Sequence, residues 1–274
     1  MLTIGAVTDL HFGPNASHAG KLRKLSHLAP ELTAAFATRM KNEVRPDVVV
    51  NLGDSVEDES PEVDARRYGE CIALLKNSGA ELVCVAGNHD RIHLSPRDLR
   101  RAWGLSQDGP LYRSLDRGGV HLVVLYSHQR QLRDITLGDE QLAWLADDLS
   151  RTSQPVVVLV HHSAADQDLR HNRWFEGLPD ICLIADRARL RELLSSHGRV
   201  VLVLNGHLHW NHVDVIDGIP YVTLQSLIEN VEEDAPGVPA RAHAVVHIDK
   251  NAVHVEIAGA QPARYQFERR LSRP

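Results

Sequence analysis

Short apolar runs that end in polar clusters recur along the first three quarters of the chain. The runs are rich in Val, Leu and Ile, a composition typical of strands that are buried on both faces. Amphipathic stretches lie between several of the runs and predict helices. We expect strands at Leu2–Val7, Asp47–Leu52, Glu81–Ala86, Val120–Tyr126, Val156–Val160 and Val200–Leu204, and helices at Glu31–Val44, Asp64–Asn77, Asp139–Leu149 and Arg187–Ser196.

Alternating strands and helices predict an α/β fold. The last quarter differs, because turn signals rather than helices separate its apolar runs. This pattern predicts antiparallel strands in a second sheet at Val213–Ile216, Tyr221–Leu224, Ala244–Ile248 and Val253–Ile257. Two polar stretches, Gly13–Leu28 and Ser163–Asp180, are long enough to be functional loops. We expect residues 1–274 to form one domain.

Charge and cysteine content narrow the functional class. The chain has 30 Lys and Arg against 36 Asp and Glu, a net charge of −6, which argues against binding to a nucleic-acid polymer. Its three cysteines form no CxxC pair and fit a reducing compartment. The start of the chain lacks a signal-peptide pattern, and no apolar run is long enough to span a membrane. We therefore expect a cytoplasmic protein with a small-molecule partner.

Polar residues with metal-binding side chains follow five of the predicted strands. In parallel α/β sheets the carboxyl ends of the strands line one crevice where ligands bind, so these side chains are expected to converge. Metal-binding side chains are not expected to follow five separate strands by chance. The residues are Asp9 and His11, then Asp54, then Asn88, His89 and Asp90, then His161 and His162, and finally His207 and His209.

The donor types indicate which ions this site would hold. Carboxylate, amide and imidazole donors without thiolates suit Mn, Fe, Zn, Co or Ni, of which we expect Mn, Fe or Zn, and disfavour an all-oxygen Ca or Mg site. Even seven ligands from this set of ten candidates exceed what one ion uses while leaving room for a substrate. Two ions that share a carboxylate fit better, and such pairs are typical of phosphatases and nucleases. Two dications would also supply the positive charge that an acidic chain needs to attract a phosphate ester.

These five blocks, in this order, resemble the calcineurin-like metallophosphoesterase superfamily. The resemblance implies a four-layer α/β/β/α sandwich of two mixed sheets flanked by helices, with a dinuclear metal site at the strand carboxyl ends. It implies that His89 contacts the phosphoryl group and protonates the leaving group after attack by a metal-bridging hydroxide. Carried over residue by residue, it places Asp9, His11 and His209 on one metal and Asn88, His162 and His207 on the other, with Asp54 bridging.

Departures from the family pattern refine this interpretation. Relatives commonly have Pro after the His-His pair, whereas this chain has Ser163, so His161 stays an alternative ligand to His162. The second block lacks the Asp and Arg-Gly of protein phosphatases, and the third ends in Asp90 rather than Glu. Both differences argue against a protein phosphatase.

A second tier of resemblance concerns the substrate. Leu137–Leu145 is similar to bacterial cyclic-nucleotide and glycerophosphodiester phosphodiesterases and to manganese-dependent ADP-ribose/CDP-alcohol diphosphatases, and Gly218–Leu224 is closer to the latter. We expect a phosphodiesterase that acts on a small nucleotide-like or glycerol-type diester. The alternatives are a pyrophosphatase or a phosphomonoesterase and, more remotely, a non-catalytic scaffold or a DNA nuclease. Further candidates for the cleft are Asp90, Arg91, His171, Arg173 and Trp174.

Overall fold

The computed structural model describes residues 1–130 and 133–269, in which the strands form two six-stranded sheets and two short hairpins. The strands are β1 (Leu2–Val7), β2 (Ala16–His18), β3 (Lys21–Lys24), β4 (Val48–Asn51), β5 (Glu81–Cys84), β6 (Arg113–Arg117), β7 (Val120–Val124), β8 (His128–Arg130), β9 (Arg133–Thr136), β10 (Val156–Leu159), β11 (Val200–Asn205), β12 (His212–Ile216), β13 (Ile219–Thr223), β14 (His243–Ile248), β15 (Ala252–Ala258) and β16 (Ala263–Glu268).

The helices lie in the connections between these strands. None of the described helices is long and apolar enough to cross a membrane. Short 3₁₀ turns are present at Ser26–Leu28 and Pro179–Ile181, and a π turn is present at Met40–Val44. The α-helices are α1 (Ala29–Arg39), α2 (Pro61–Lys76), α3 (Asp90–His93), α4 (Pro96–Trp103), α5 (Asp139–Ser150) and α6 (Arg187–His197).

Each large sheet has a parallel centre and antiparallel additions. The first sheet runs β16-β15-β14-β1-β4-β5, with β1, β4 and β5 parallel. The second runs β12-β13-β11-β10-β7-β6, with β7, β10, β11 and β13 parallel. The C-terminal strands therefore extend both sheets instead of forming a sheet of their own, because β14 pairs antiparallel with β1 while β13 pairs parallel with β11.

Three apolar layers hold four layers of secondary structure together. Side chains alternate along the buried strands, so Val48 and Val50 face the second sheet while Val49 packs against the helices. Helices α1, α2 and α4 cover the first sheet, and α5 and α6 cover the second. The four-layer α/β/β/α sandwich is confirmed, and it leaves the carboxyl ends of both parallel groups at one edge.

The six predicted apolar runs are all strands, and helix ends account for most of the remaining differences. The helix predicted from Glu31 begins at Ala29, since Pro30 fits the first turn, and its final residues wind into the π turn that ends at a left-handed Arg45. The second helix begins at Pro61, where Ser60 caps it through the backbone N–H of Val63. The sequence pattern missed the partly exposed strands β6 and β16, the short helix α3, and the hairpins β2–β3 and β8–β9, whereas the spacing of Arg97, Arg100 and Arg101 fits the solvated face of α4.

Candidate metal centre

The motif side chains meet at the strand edge in loops whose backbone is unusual. Asp9 and His11 follow β1, Asp54 follows β4, and His207 and His209 follow β11. All five have φ between 44° and 66°, the left-handed region that non-glycine residues seldom adopt. Such a conformation costs about 1–3 kcal/mol per residue and persists only where the surrounding structure imposes it. This concentration of strain marks the edge as a functional site.

Two glycines let the backbone pass directly against the carboxylates. A Cβ atom on Gly206 would overlap the side chains of Thr8 and Asp9. A Cβ atom on Gly87 would overlap the side chain and backbone nitrogen of Asp54. These close approaches explain why both glycines directly precede a metal-binding motif.

Three side chains converge to form what we call the Asp9 subsite. The Nε2 atoms of His11 and His209 lie 3.2 Å apart. Oδ1 of Asp9 is 3.4 Å from Nε2 of His209 and 3.8 Å from Nε2 of His11. On the far side of each ring, Nδ1 of His11 bonds Oε2 of Glu57 at 2.9 Å and Nδ1 of His209 bonds Oε2 of Glu229 at 2.7 Å. Both histidines thus present Nε2 to the same point.

A second group forms what we call the Asn88 subsite. Nε2 of His161 lies 3.2 Å from Oδ1 of Asn88, and the His161 and His207 rings are 5.0 Å apart. The second nitrogen of each ring bonds a backbone carbonyl: Nδ1 of His161 bonds Leu52 O at 2.9 Å, and Nε2 of His207 bonds Ile181 O at 3.0 Å. These bonds fix the ring orientations and leave one nitrogen of each free to bind a metal.

His162, the ligand chosen from the sequence, lies beside this group. Its Nδ1 bonds Oγ of Ser127 at 2.7 Å, and its Nε2 is buried without a hydrogen-bond partner. Its ligand atom lies within 4.8 Å of those of His161 and His207. His162 therefore stays a predicted ligand, although the contact with Asn88 favours His161.

Asp54 lies between the two subsites. Its Oδ2 is 3.2 Å from Nε2 of His161 and 3.9 Å from Nε2 of His11, while its Oδ1 accepts a hydrogen bond from the backbone of His89 at 2.9 Å. Oδ2 is thus directed at histidines of both subsites, while the loop after β5 fixes Oδ1. The predicted bridging role of Asp54 is compatible with this position between the subsites.

Asp90 fixes the backbone of the loop that carries Asp54. The buried carboxylate accepts three backbone hydrogen bonds, from Asp54 and Gly87 on Oδ2 at 3.0 Å and from Ser55 on Oδ1 at 2.7 Å. Burial and the nearby charge of Asp54 raise the pKa of Asp90 to about 6. Asp90 thus ties the loop after β4 to the loop after β5, and does not point at the ligand atoms.

The donor arrangement fits bound cations. Both Nδ1 atoms at the Asp9 subsite face carboxylates, so both Nε2 atoms are directed to one point, where they lie 3.2 Å apart. Oδ1 of Asp9 is buried beside them with no hydrogen-bond partner. Buried polar atoms normally have partners, and a cation between these donors would supply one. The residues present therefore fit a metal pair.

The electrostatics of the buried cluster favour positive charge. Burial acts to lower the pKa values of His209 and His161, but neighbouring carboxylates raise both to about 9. Burial acts to raise the pKa values of Asp9 and Asp54, but the adjacent histidines hold both below the usual value. A field that retains protons on buried histidines also stabilises a dication at the same place.

His89 lines the substrate side of the cluster. Its Nδ1 bonds Oδ1 of Asp58 at 2.5 Å, which leaves Nε2 available for a ligand. Burial acts to lower the pKa of His89, but the charge of Asp54 and the bond to Asp58 raise it above the usual value. His89 is thus held as a proton-bearing group at the mouth of the site.

A cleft of about 380 Å³ opens over the cluster. Asp54, Asn88, His89, His207 and His209 contribute to its floor and sides. His11 and Asp58 also line it, and the rest of its lining combines apolar and aromatic side chains with one cation and one amide, namely Ile92, Trp174, Phe175, Ile181, Lys24 and Gln129.

Three further candidates lie away from this cleft. The Arg91 guanidinium bonds the backbone oxygen of Leu94, and that of Arg173 bonds the backbone oxygens of Asn230 and Val231. His171 lines a neighbouring cavity of about 190 Å³. In the described part of the chain none of these three arginine and histidine side chains lines the main cleft, and their binding roles stay predictions.

Sequence reasoning missed the residues that support the histidines. Glu57 and Asp58 directly follow the second motif, so their proximity to it was a usable signal. Glu229 lies in a loop and Lys24 ends strand β3, and only the tertiary fold brings them to His209 and Glu57. No local spacing pattern marks either residue.

Comparison with known proteins identifies the family to which this chain belongs. The model of the calcineurin-like phosphoesterase family matches residues 2–211. A probable cyclic nucleotide phosphodiesterase from Synechococcus sp. is 28% identical over 212 residues, which cover 76% of this chain and 73% of that protein. A cAMP/cGMP dual specificity phosphodiesterase from Mycobacterium tuberculosis is 27% identical over 187 residues, which cover 65% of this chain and about half, 53%, of that protein.

The fold has a counterpart among solved structures. A dimetal phosphatase from Danio rerio superposes with a TM-score of 0.79 at 16% identity, covering 98% of this chain and 99% of that one. At this identity the likeness establishes the fold. The family match over most of the chain establishes more: this protein belongs to the calcineurin-like phosphoesterase family and is a phosphoester hydrolase.

Proposed function

We propose that this protein hydrolyses small phosphodiesters of the cyclic-nucleotide class at a two-metal centre. The observation that carries the proposal is the position of Asp54, whose Oδ2 lies 3.2 Å from Nε2 of His161 in one subsite and 3.9 Å from Nε2 of His11 in the other. The names of the two phosphodiesterase relatives support the substrate class.

The ligand assignment follows from the contacts. Each subsite takes three side chains, and Asp54 serves both. We assign Asp9, His11 and His209 to one ion, and Asn88, His161 and His207 to the other. His161 replaces His162 in this assignment because its Nε2 alone of the pair is in contact with both Asn88 and Asp54. The mixed nitrogen and oxygen donors suit Mn, Fe or Zn.

The protein's own side chains complete the reaction. Cations held by these residues would supply charge neutralisation at the phosphoryl oxygens and would lower the pKa of water enough to make it a nucleophile near neutral pH. His89 donates a proton to the departing oxygen, and Asp58 fixes the ring so that Nε2 faces that oxygen. Trp174, Phe175 and Ile92 give the cleft an apolar wall that suits the organic part of the substrate, such as a nucleobase.

A substrate panel tests this function. The protein would be supplied with Mn²⁺ and assayed on 3′,5′-cAMP, bis-p-nitrophenyl phosphate, ADP-ribose, a glycerophosphodiester and p-nitrophenyl phosphate. We expect metal-dependent hydrolysis of the diesters, with cAMP among the best substrates. Preference for ADP-ribose or for the monoester would contradict the proposed substrate class. A lack of turnover on all five compounds would contradict the proposed hydrolysis of small phosphodiesters.

A pair of substitutions tests the ligand assignment. We expect His161→Ala to reduce the metal content by at least one ion per chain. His162→Ala is the matched control. It should retain two ions because His162 bonds Ser127, whereas His161 contacts both Asp54 and Asn88. Elemental analysis after gel filtration gives both numbers. The reverse pattern would restore the sequence-based choice of His162.

A further inference from the structure

A second cavity, which we call the side cavity, lies beside the main cleft. Its volume is about 190 Å³, and its lining includes Trp174, Trp210, Gln225 and Glu229. Trp174 also lines the cleft, as does the predicted metal ligand His209, so these two side chains belong to both cavities. Trp210 and Gln225, in contrast, line the side cavity and not the cleft.

Gln225 brings an unpartnered amide to this cavity. The residue is 5% exposed, and its Oε1 atom is buried with no hydrogen-bond partner among the residues that the structure describes. Its backbone N–H donates to Oδ1 of Asn211 at 2.9 Å, which fixes the backbone from which the side chain extends. Buried polar atoms normally have partners, because a bond left unmade costs free energy. A ligand with an N–H group would supply the missing partner.

The two indole rings offer aromatic surface rather than hydrogen-bond donors. The N–H of Trp174 already donates to Oε2 of Glu229 at 3.1 Å, and the N–H of Trp210 donates to Oε1 of Gln167 at 3.0 Å. Aromatic side chains pack against any nucleobase, since every base has a π face. A glutamine amide matches the edge of adenine, where it accepts from the N6 amine and donates to N7.

The size and exposure of the side cavity fit a single base. A cavity of about 150 Å³ is large enough for a benzene ring, so one of about 190 Å³ suits a small heterocycle rather than a larger ligand. His171 and Arg173 also line the cavity, and both are exposed. The cavity is therefore open to solvent on their side, which leaves room for a sugar attached to the base.

We propose that the side cavity is a second ligand site, which binds the adenine ring of a nucleoside or nucleotide. Gln225 reads the edge of the base, and Trp174 and Trp210 pack against its ring. The site lies outside the metal cluster, so the inference does not depend on the proposed hydrolysis. A base bound here contacts Glu229, which bonds His209 at 2.7 Å, and therefore lies against a group that orients a predicted metal ligand.

Calorimetric titration of the Mn²⁺-loaded protein with adenosine tests the proposal. Adenosine has no phosphate group, so it is not hydrolysed and offers the metal centre no phosphoryl oxygen. We expect one adenosine to bind per chain. Purine riboside, which lacks the N6 amine, should bind about 10-fold or more weakly, because Oε1 of Gln225 then stays without a partner. Equal affinities for the two nucleosides, or no binding of adenosine, would overturn the proposal.

Substitutions show where adenosine binds. Gln225→Leu removes the amide and keeps a side chain of similar size, so it should weaken adenosine binding by about 10-fold or more. Gln266→Leu, at an exposed position on β16, is the matched control and should bind adenosine as the wild type does. Ile92→Ala changes the wall of the main cleft and should also leave the affinity unchanged. An unchanged affinity in Gln225→Leu, or a reduced one in Ile92→Ala, would contradict the assignment of adenosine to the side cavity.

These outcomes are independent of the proposed function. The comparison of adenosine with purine riboside uses the wild-type protein, so it remains decisive if Gln225→Leu fails to fold. Adenosine binding that depends on Gln225, in a protein that hydrolyses no phosphodiester, would support the side cavity and contradict the proposed function. Hydrolysis of phosphodiesters without adenosine binding would do the reverse.

Discussion

Replacement of Asp90 by Asn should loosen the metal centre from behind. The carboxylate accepts three buried backbone N–H groups, two on Oδ2 and one on Oδ1. An Asn side chain keeps one oxygen, which satisfies at most the two donors at Oδ2, and turns its own N–H₂ toward Ser55. One buried donor is then left unsatisfied, which costs about 1–3 kcal/mol. Against a typical total stability of about 5–15 kcal/mol, this is a measurable loss.

Urea denaturation of the metal-free protein measures this loss without a contribution from bound ions. We expect Asp90→Asn to lower the midpoint, and we expect the loaded variant to hold less metal because the backbone of Ser55, which directly follows Asp54, loses its acceptor. Asp249→Asn is a matched control, since Asp249 accepts two backbone hydrogen bonds in an exposed turn where water can replace it. Equal effects of the two substitutions, or an unchanged midpoint and metal content for Asp90→Asn, would refute the reasoning.

Three other substitutions probe separate parts of the account. His89→Asn should keep both metals but lose about 10²–10⁴-fold in turnover on poor leaving groups, and less on p-nitrophenyl esters; equal losses would exclude proton donation. Gly206→Ala should displace Asp9 and lower the metal content, which elemental analysis measures; a full complement of metal would contradict the packing argument. For His121, burial acts to lower the pKa, but two carboxylate partners raise it, so its stabilisation is present at low pH and fades as pH rises through the raised pKa. His121→Gln should therefore lower the unfolding free energy more at about pH 6 than at about pH 9, and a pH-independent difference in denaturation would contradict this.

The fold was largely predictable because its strongest signals are local. Fully buried parallel strands such as β1 and β10 have continuous apolar sequences, and the helices between them have apolar stripes. The hairpins β2–β3 and β8–β9 have polar sequences without that contrast, so their pairing depends on the surfaces that they contact. The C-terminal strands were recognised as antiparallel, but their distribution between two sheets is decided by long-range pairing.

The residues of the site likewise comprise some that local sequence predicts and others that only the tertiary fold brings together. Its ligands were predictable because each follows a strand directly, and the parallel topology brings strand ends together. The choice within the His161-His162 pair depends on which way each ring turns at the end of β10, which spacing alone does not determine. Glu229 comes from a distant loop, and only folding brings it to His209. The sequence thus predicts the metal-binding groups better than the residues that tune them.

The central claim is that two cations share Asp54. Anomalous diffraction from crystals of the Mn²⁺-loaded protein tests it most directly. We predict two manganese peaks, one beside Asp9, His11 and His209 and the other beside Asn88, His161 and His207, both in contact with the Asp54 carboxylate. A single peak, or two peaks without Asp54 between them, would contradict the account.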